Sequence, residues 1–138
     1  MEIDKMLLVE PANELNCDRR IIISKYNNYR IEVTRDTIDR ICDYCMDIVP
    51  MIRLRDPYVK TVYLGVDENT SKYIYLEMMC NNNNIIIDII STDKIIDITD
   101  TDIYNFNTSR YYLTIHELID LKISLYNSIK RVVVPFNK

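Results

Sequence analysis

Glycine, alanine and histidine occur once each in this 138-residue chain, as Gly65, Ala12 and His116, and tryptophan is missing. A phosphate-cradling loop needs several glycines and the dinucleotide fingerprint needs three, so both are excluded. A site built on several histidines is excluded with them. The four cysteines are few and irregularly spaced, which fits reduced thiols better than a disulfide framework. No run approaches the roughly 18–20 apolar residues that span a bilayer, and the longest candidate, Ile85–Ile90, is broken by Asp88. The opening residues Met1–Val9 are acidic early and hold too short an apolar run for a secretory signal. A cytoplasmic protein without membrane insertion is therefore expected. Two sequons, Asn69-Thr70-Ser71 and Asn107-Thr108-Ser109, carry no weight without such a signal.

What is present is an apolar, tyrosine-rich and mildly acidic chain. Apolar residues make up 48% and charged residues 28%, with 17 basic against 21 acidic side chains. That suits one folded domain over residues 1–138, able to bury roughly two thirds of its unfolded surface. The negative balance argues against nucleic acid as a partner, because phosphate contacts dominate that affinity. The chain has 23 Ile, 13 Asn and 11 Tyr, with Arg slightly above Lys and Asp twice as frequent as Glu. Residues with AT-rich codons are favoured throughout. This style is similar to that of small proteins of large DNA viruses that replicate in the cytoplasm, poxviruses above all. The resemblance lies in composition alone and transfers no functional residue. It implies host cytoplasm as the location and a host or viral protein as the partner.

Periodicity supplies the fold class. Arg19–Tyr26 reads as a strand, Asn27-Asn28 as a tight turn, and Tyr29–Val33 as the returning strand. Thr34 is placed to cap a helix whose apolar positions Ile38, Ile41, Cys42, Cys45, Ile48 and Val49 share one face, and Pro50 is expected to end it. Four strand-like segments follow: Tyr58–Val66, Lys72–Cys80, Asn84–Ser91 and Lys94–Thr99. Their short polar connections favour an antiparallel meander. A polar stretch, Asp100–Ser109, leads to a last helix opened by the Thr114/Glu117 capping box, with Ile115, Leu118, Ile119, Leu121, Leu125, Ile129 and Val132 as its stripe. The expected architecture is α+β in the order β-β-α-β-β-β-β-α, a mainly antiparallel sheet packed by two helices. That order is similar to helix-grip folds, in which a meander wraps a long C-terminal helix.

The chemical motifs are thin. Cys42-Asp43-Tyr44-Cys45 lies inside a helix on its apolar stripe, where burial and acidic neighbours suppress the thiolate that redox or zinc chemistry needs. It reads as core. His116 precedes Glu117, but Asp120 stands where a zinc-protease helix would place its second histidine. Asp93, Asp97, Asp100 and Asp102 fail the calcium-loop pattern at its glycine and closing glutamate positions. The pairs Arg19/Arg20 and Arg53/Arg55 read as surface charge. No cofactor or metal is called for.

The most informative feature is the second face of the meander. Alternation assigns Val62, Leu64, Val66, Ile74, Leu76, Met78, Ile85, Ile87, Ile89, Ile96 and Ile98 to the core. It assigns Thr61, Tyr63, Tyr73, Tyr75, Glu77, Ile86, Asp88, Ile90, Ile95, Asp97 and Thr99 to the other side, which is too apolar for a solvated face. The expected function is a non-enzymatic interaction protein that uses Tyr63, Tyr73, Tyr75, Ile86, Ile90 and Ile95 to bind another protein or a second copy of itself. Two other readings stay open: a small-ligand or lipid carrier with a pocket between the sheet and the C-terminal helix, and a small hydrolase or transferase using His116 and carboxylates.

Overall fold

A computed structural model of the chain describes residues 7–13, 16–24, 28–54, 57–81, 84–93 and 106–133. Three strands come first: β1 (Leu7–Asn13), β2 (Asn16–Ser24) and β3 (Tyr29–Thr34). Helix α1 (Arg35–Leu54) follows, then β4 (Tyr58–Val66), β5 (Tyr73–Asn81), β6 (Asn84–Thr92) and β7 (Phe106–Leu113), and finally α2 (Ile115–Val133). The fold is α+β, and both sheets are antiparallel meanders, β1-β2-β3 and β4-β5-β6-β7. The expected element order holds, with β1 added in front of it.

The segments differ from the sequence reading in instructive places. In the β2–β3 hairpin Ser24 pairs with Tyr29, and Asn28 has the positive φ, 56°, expected of a turn residue; residues 25–27 lie outside the described residues. The partner of β6 is Phe106–Leu113, part of which had read as a polar lead-in. Its polar residues fit a sheet-edge strand with one solvated side. The expected strand Lys94–Thr99 lies outside the described residues.

Both helix caps form as their residues dictate. The Thr37 amide donates to Thr34 Oγ1 at 3.3 Å. Thr114 and Glu117 exchange bonds of 2.9 and 3.2 Å, the reciprocal pattern of a capping box. Pro50, in contrast, does not end α1, which continues to Leu54. Proline removes one helical hydrogen bond, but Ile48 before it and Ile52 after it are both buried, and that anchorage offsets the loss.

α1 lies on β4 and β5, and α2 packs chiefly on α1 while reaching β1 and β7. One hydrophobic cluster joins Ile38, Ile41, Cys42, Cys45 and Ile48 of α1 to Val62, Ile74, Leu76, Met78, Ile85 and Ile87 of the sheet, to Ile31 and Val33 of β3, and to Leu118, Leu121 and Leu125 of α2. Side chains of α1 thus occupy the space between the four-stranded sheet and α2. On α2, Ile115 and Ile119 are exposed, although they had been counted in the buried stripe.

The two sheets meet where β4 ends. Ile31 forms an isolated bridge with Asp67, and the Glu68 amide donates to the Arg30 carbonyl at 2.9 Å. The only glycine of the chain sits at this junction. A Cβ on Gly65 would lie 3.0 Å from Ile31 Cγ2, and its φ of +139° is strained for any L side chain.

Candidate functional site

The four-stranded sheet presents its second face as rows of side chains, one row across all four strands at a time. The rows are Val59, Met79, Ile86, Tyr112; then Thr61, Glu77, Asp88, Arg110; then Tyr63, Tyr75, Ile90, Thr108; and Val66, Tyr73, Thr92, with the backbone of Phe106 paired beside Thr92. Tyr63 of β4 and Tyr73 and Tyr75 of β5 come together as expected. The ring of Tyr63 lies 5.1 Å from that of Tyr75 and 6.4 Å from that of Tyr73, tilted by 51° and 44°. Such tilted geometry suits the quadrupoles of aromatic rings. It also leaves the Tyr63 hydroxyl harder to ionise than usual, first by burial of the ring and then by its two neighbours.

This meeting depends on two deviations that cancel. If Val66 and Lys72 flanked the β4–β5 turn as a pair, simple register would set Tyr63 opposite Tyr75. The actual turn pairs Val66 with Tyr73. That shift alone would move Tyr63 to the core side, since one residue of slip exchanges the faces. A β-bulge between Tyr63 and Gly65 inserts one extra residue and restores Tyr63 to the face. The same bulge turns Val66 away from the core, where alternation had placed it, and leaves it 43% exposed.

The middle of the face is closed and its borders are open. Tyr75 is only 7% exposed, and Asp88 and Thr92 are buried; Tyr73, Ile86 and Ile90 are half-buried. Tyr63, at 44% exposure, stands on β4 with Val59 and Val66, and Tyr112 on β7 is exposed as well. Of the six residues expected to form a contact surface, Tyr63 is thus the exposed one, Tyr75 is buried, and Ile95 lies outside the described residues. Val59, Val66 and Tyr112 were missed. Val59 had a signal, since it shares the alternation of Thr61 and Tyr63; Val66 had none, because the bulge is set by contact with β3.

Charge on this face is concentrated in one row. Arg110 forks onto Asp88, Nε to Oδ1 at 2.9 Å and Nη2 to Oδ2 at 2.9 Å. This pairing, ahead of a contribution from Tyr112, holds the guanidinium even more firmly protonated than usual. Glu77, directly opposite Asp88, accepts a 3.2 Å hydrogen bond from the Thr61 hydroxyl.

Among the described residues, the remaining sequence candidates do not assemble into a reactive site; Asp97, Asp100 and Asp102 lie outside them. Cys42, Cys45 and Cys80 are buried thiols, none of them in a disulfide. Burial, followed by Asp39, pushes Cys42 up to about 11; burial, followed by Cys42, pushes Cys45 up to about 12. His116 is exposed in the first turn of α2, as is Asp120 one turn on. Among the described residues, no group of three or more His, Cys, Asp or Glu is arranged to hold a metal ion. Nor is any described helix long and apolar enough to cross a membrane.

Asp67 is the polar residue that sequence reading passed over. It is fully buried at the sheet junction and accepts four hydrogen bonds: from the amides of Arg30 (2.8 Å), Asn69 (3.3 Å) and Thr70 (3.0 Å), and from the Thr70 hydroxyl (2.6 Å). Burial alone would raise its pKa, but the Thr70 hydroxyl and the three amides outweigh it and leave the carboxyl below its usual value. The sequence signal was present, because Asp followed closely by Asn and Thr is turn chemistry. Its role is structural. Comparison of the chain with protein-family models, with curated proteins and with solved structures finds no match.

Proposed function

We propose that the protein is a non-enzymatic interaction module that binds another protein along the β4 border of its tyrosine face. The observation carrying this reading is Tyr63. Its ring is held by Tyr73 and Tyr75, yet 44% of the residue faces solvent, beside exposed Val59 and Val66 on the same strand. A ring already fixed by neighbours loses little side-chain freedom when a partner covers it. Tyrosine also combines apolar area with a polar tip, which suits it to protein contacts. The composition is similar to that of small proteins of large cytoplasmic DNA viruses, so the partner in this reading is a host or viral protein in the cytoplasm.

Site-specific photocrosslinking tests the reading. Tyr63→p-benzoylphenylalanine, expressed in the cytoplasm of cultured cells, is expected to give a discrete adduct on illumination. The same substitution at Asp39, exposed on α1, is expected to give none. An adduct of twice the chain mass identifies the partner as a second copy. Absence of any adduct specific to position 63 sinks the proposal.

A further inference from the structure

We infer that the partner segment docking on the β4 border presents a basic side chain, arginine or lysine, over Thr61 to the carboxylate of Glu77 and against the ring of Tyr63. The inference rests on the interaction surface proposed above and specifies its chemistry.

The argument begins with the row Thr61, Glu77, Asp88, Arg110. Glu77 and Asp88 are directly opposite on adjacent strands, an arrangement in which like charges repel. Arg110 relieves one of them, because its fork takes both oxygens of Asp88. Glu77 has the Thr61 hydroxyl at 3.2 Å and no cation among the described residues. The row therefore reads cation, anion, anion and then a short hydroxyl side chain at the exposed edge strand.

A cation arriving from outside β4 completes that sequence. Thr61 is exposed and small, so a long basic side chain can pass over it to Glu77. Tyr63 is two residues along the same strand and on the same face, roughly 7 Å away. Its ring is therefore placed for cation–π contact with the same group. Val59 on the other side and Val66 beyond Tyr63 are exposed and suit the aliphatic stem and its flanking residues. The formal net charge of −4 draws a basic segment from a distance. An acidic or purely apolar segment gains none of this and would leave Glu77 under cover without a cation.

The test is selection of a random heptapeptide display library on the immobilised 138-residue chain, with Tyr63→Asp and Glu77→Gln variants as counter-surfaces. Circular dichroism and melting temperatures establish that both variants are folded. The expected pool is lost on Tyr63→Asp and enriched in Arg or Lys. A synthetic peptide from that pool is expected to bind Glu77→Gln about tenfold more weakly, the size of one charge-assisted contact. Replacing its Arg by citrulline, or its Lys by acetyl-lysine, is expected to cost the wild type about the same factor and to cost Glu77→Gln little more. A pool sensitive to Tyr63→Asp but without basic enrichment, or bound equally by Glu77→Gln, overturns the inference and leaves the surface in place. A pool indifferent to Tyr63→Asp removes the surface and the inference together.

Discussion

Asp67 is a buried carboxylate stabilised by four hydrogen bonds, and it joins the end of β4 to the start of β3. Asp67→Ala leaves the part-buried amides of Arg30, Asn69 and Thr70 without their acceptor and is expected to cost about 1–3 kcal/mol in urea unfolding. Its folded pKa lies below the ordinary 3.8, so the folded state holds the proton less tightly than the unfolded chain. The stability it contributes is therefore complete above the unfolded value and is lost as pH falls through the folded one. The gap in urea midpoint between wild type and Asp67→Asn is expected to be constant at neutral pH and to close below pH 3.8. A gap that persists unchanged at pH 2 would show that ionisation is irrelevant. Two thiols make a second case at the same scale. With Cys42 and Cys45 pushed up to about 11 and about 12, the thiolate at pH 8 is about one part in a thousand or less. An aromatic disulfide reagent is expected to label both slowly in the native protein and rapidly in urea. Fast native labelling would mean that the helix face is open.

The elements show how local signals and tertiary contacts divide the work. Both helix starts were legible because their reasons are local: Thr34, and the Thr114/Glu117 pair, satisfy amides within one turn. The end of α1 was not, because the local preference of Pro50 loses to burial of Ile52 against distant residues. The bulge in β4 was invisible for the same kind of reason. Gly65 is required by Ile31, which lies 34 positions away, and no local pattern announces that contact. Gly65→Ala meets both the close approach and the strained φ, and is expected to cost about 1–3 kcal/mol. Strand β4 is also a sheet edge, and it carries two devices that blunt edges: the bulge and the exposed Lys60, which holds a core-side register position opposite Met78. On α2 the sequence shows a broad apolar stripe, but the fold uses only part of it. Leu118, Leu121 and Leu125 are buried, whereas Ile115, Ile119, Ile123 and Tyr126 are exposed. Leu121→Ala is expected to cost ~2–5 kcal/mol and Ile123→Ser within about 0.5 kcal/mol, measured by urea unfolding. Equal losses would place Ile123 in the core.

At the scale of the whole molecule, the core and the candidate surface share a sheet, so the same strand both folds the protein and offers the contact. Val62 and Leu64 of β4 are buried under α1, while Val59, Tyr63 and Val66 of the same strand face outward. The face was legible in sequence because the strands alternate. Its closed middle was not, because burial of Tyr75 depends on what surrounds it in three dimensions. That distinction decides which tyrosine belongs to the fold and which to the surface. Tyr75 is 7% exposed, in a row between Tyr63 and Ile90. Removing its ring empties a packed volume, so Tyr75→Ala is expected to destabilise the free protein by about 3–5 kcal/mol, comparable with Leu76→Ala. Tyr63 is 44% exposed and leans on Tyr75 and Tyr73 from the border. Its removal forfeits tilted ring contacts but leaves no enclosed cavity, and Tyr63→Ala is expected to cost about 0.5–1.5 kcal/mol. Urea unfolding of the three variants separates the two roles. If Tyr63→Ala is as damaging as Tyr75→Ala, Tyr63 is committed to the core, and its loss from a complex would report unfolding rather than contact. If the difference is as expected, Tyr63 is the residue at which binding can be altered while the fold is kept.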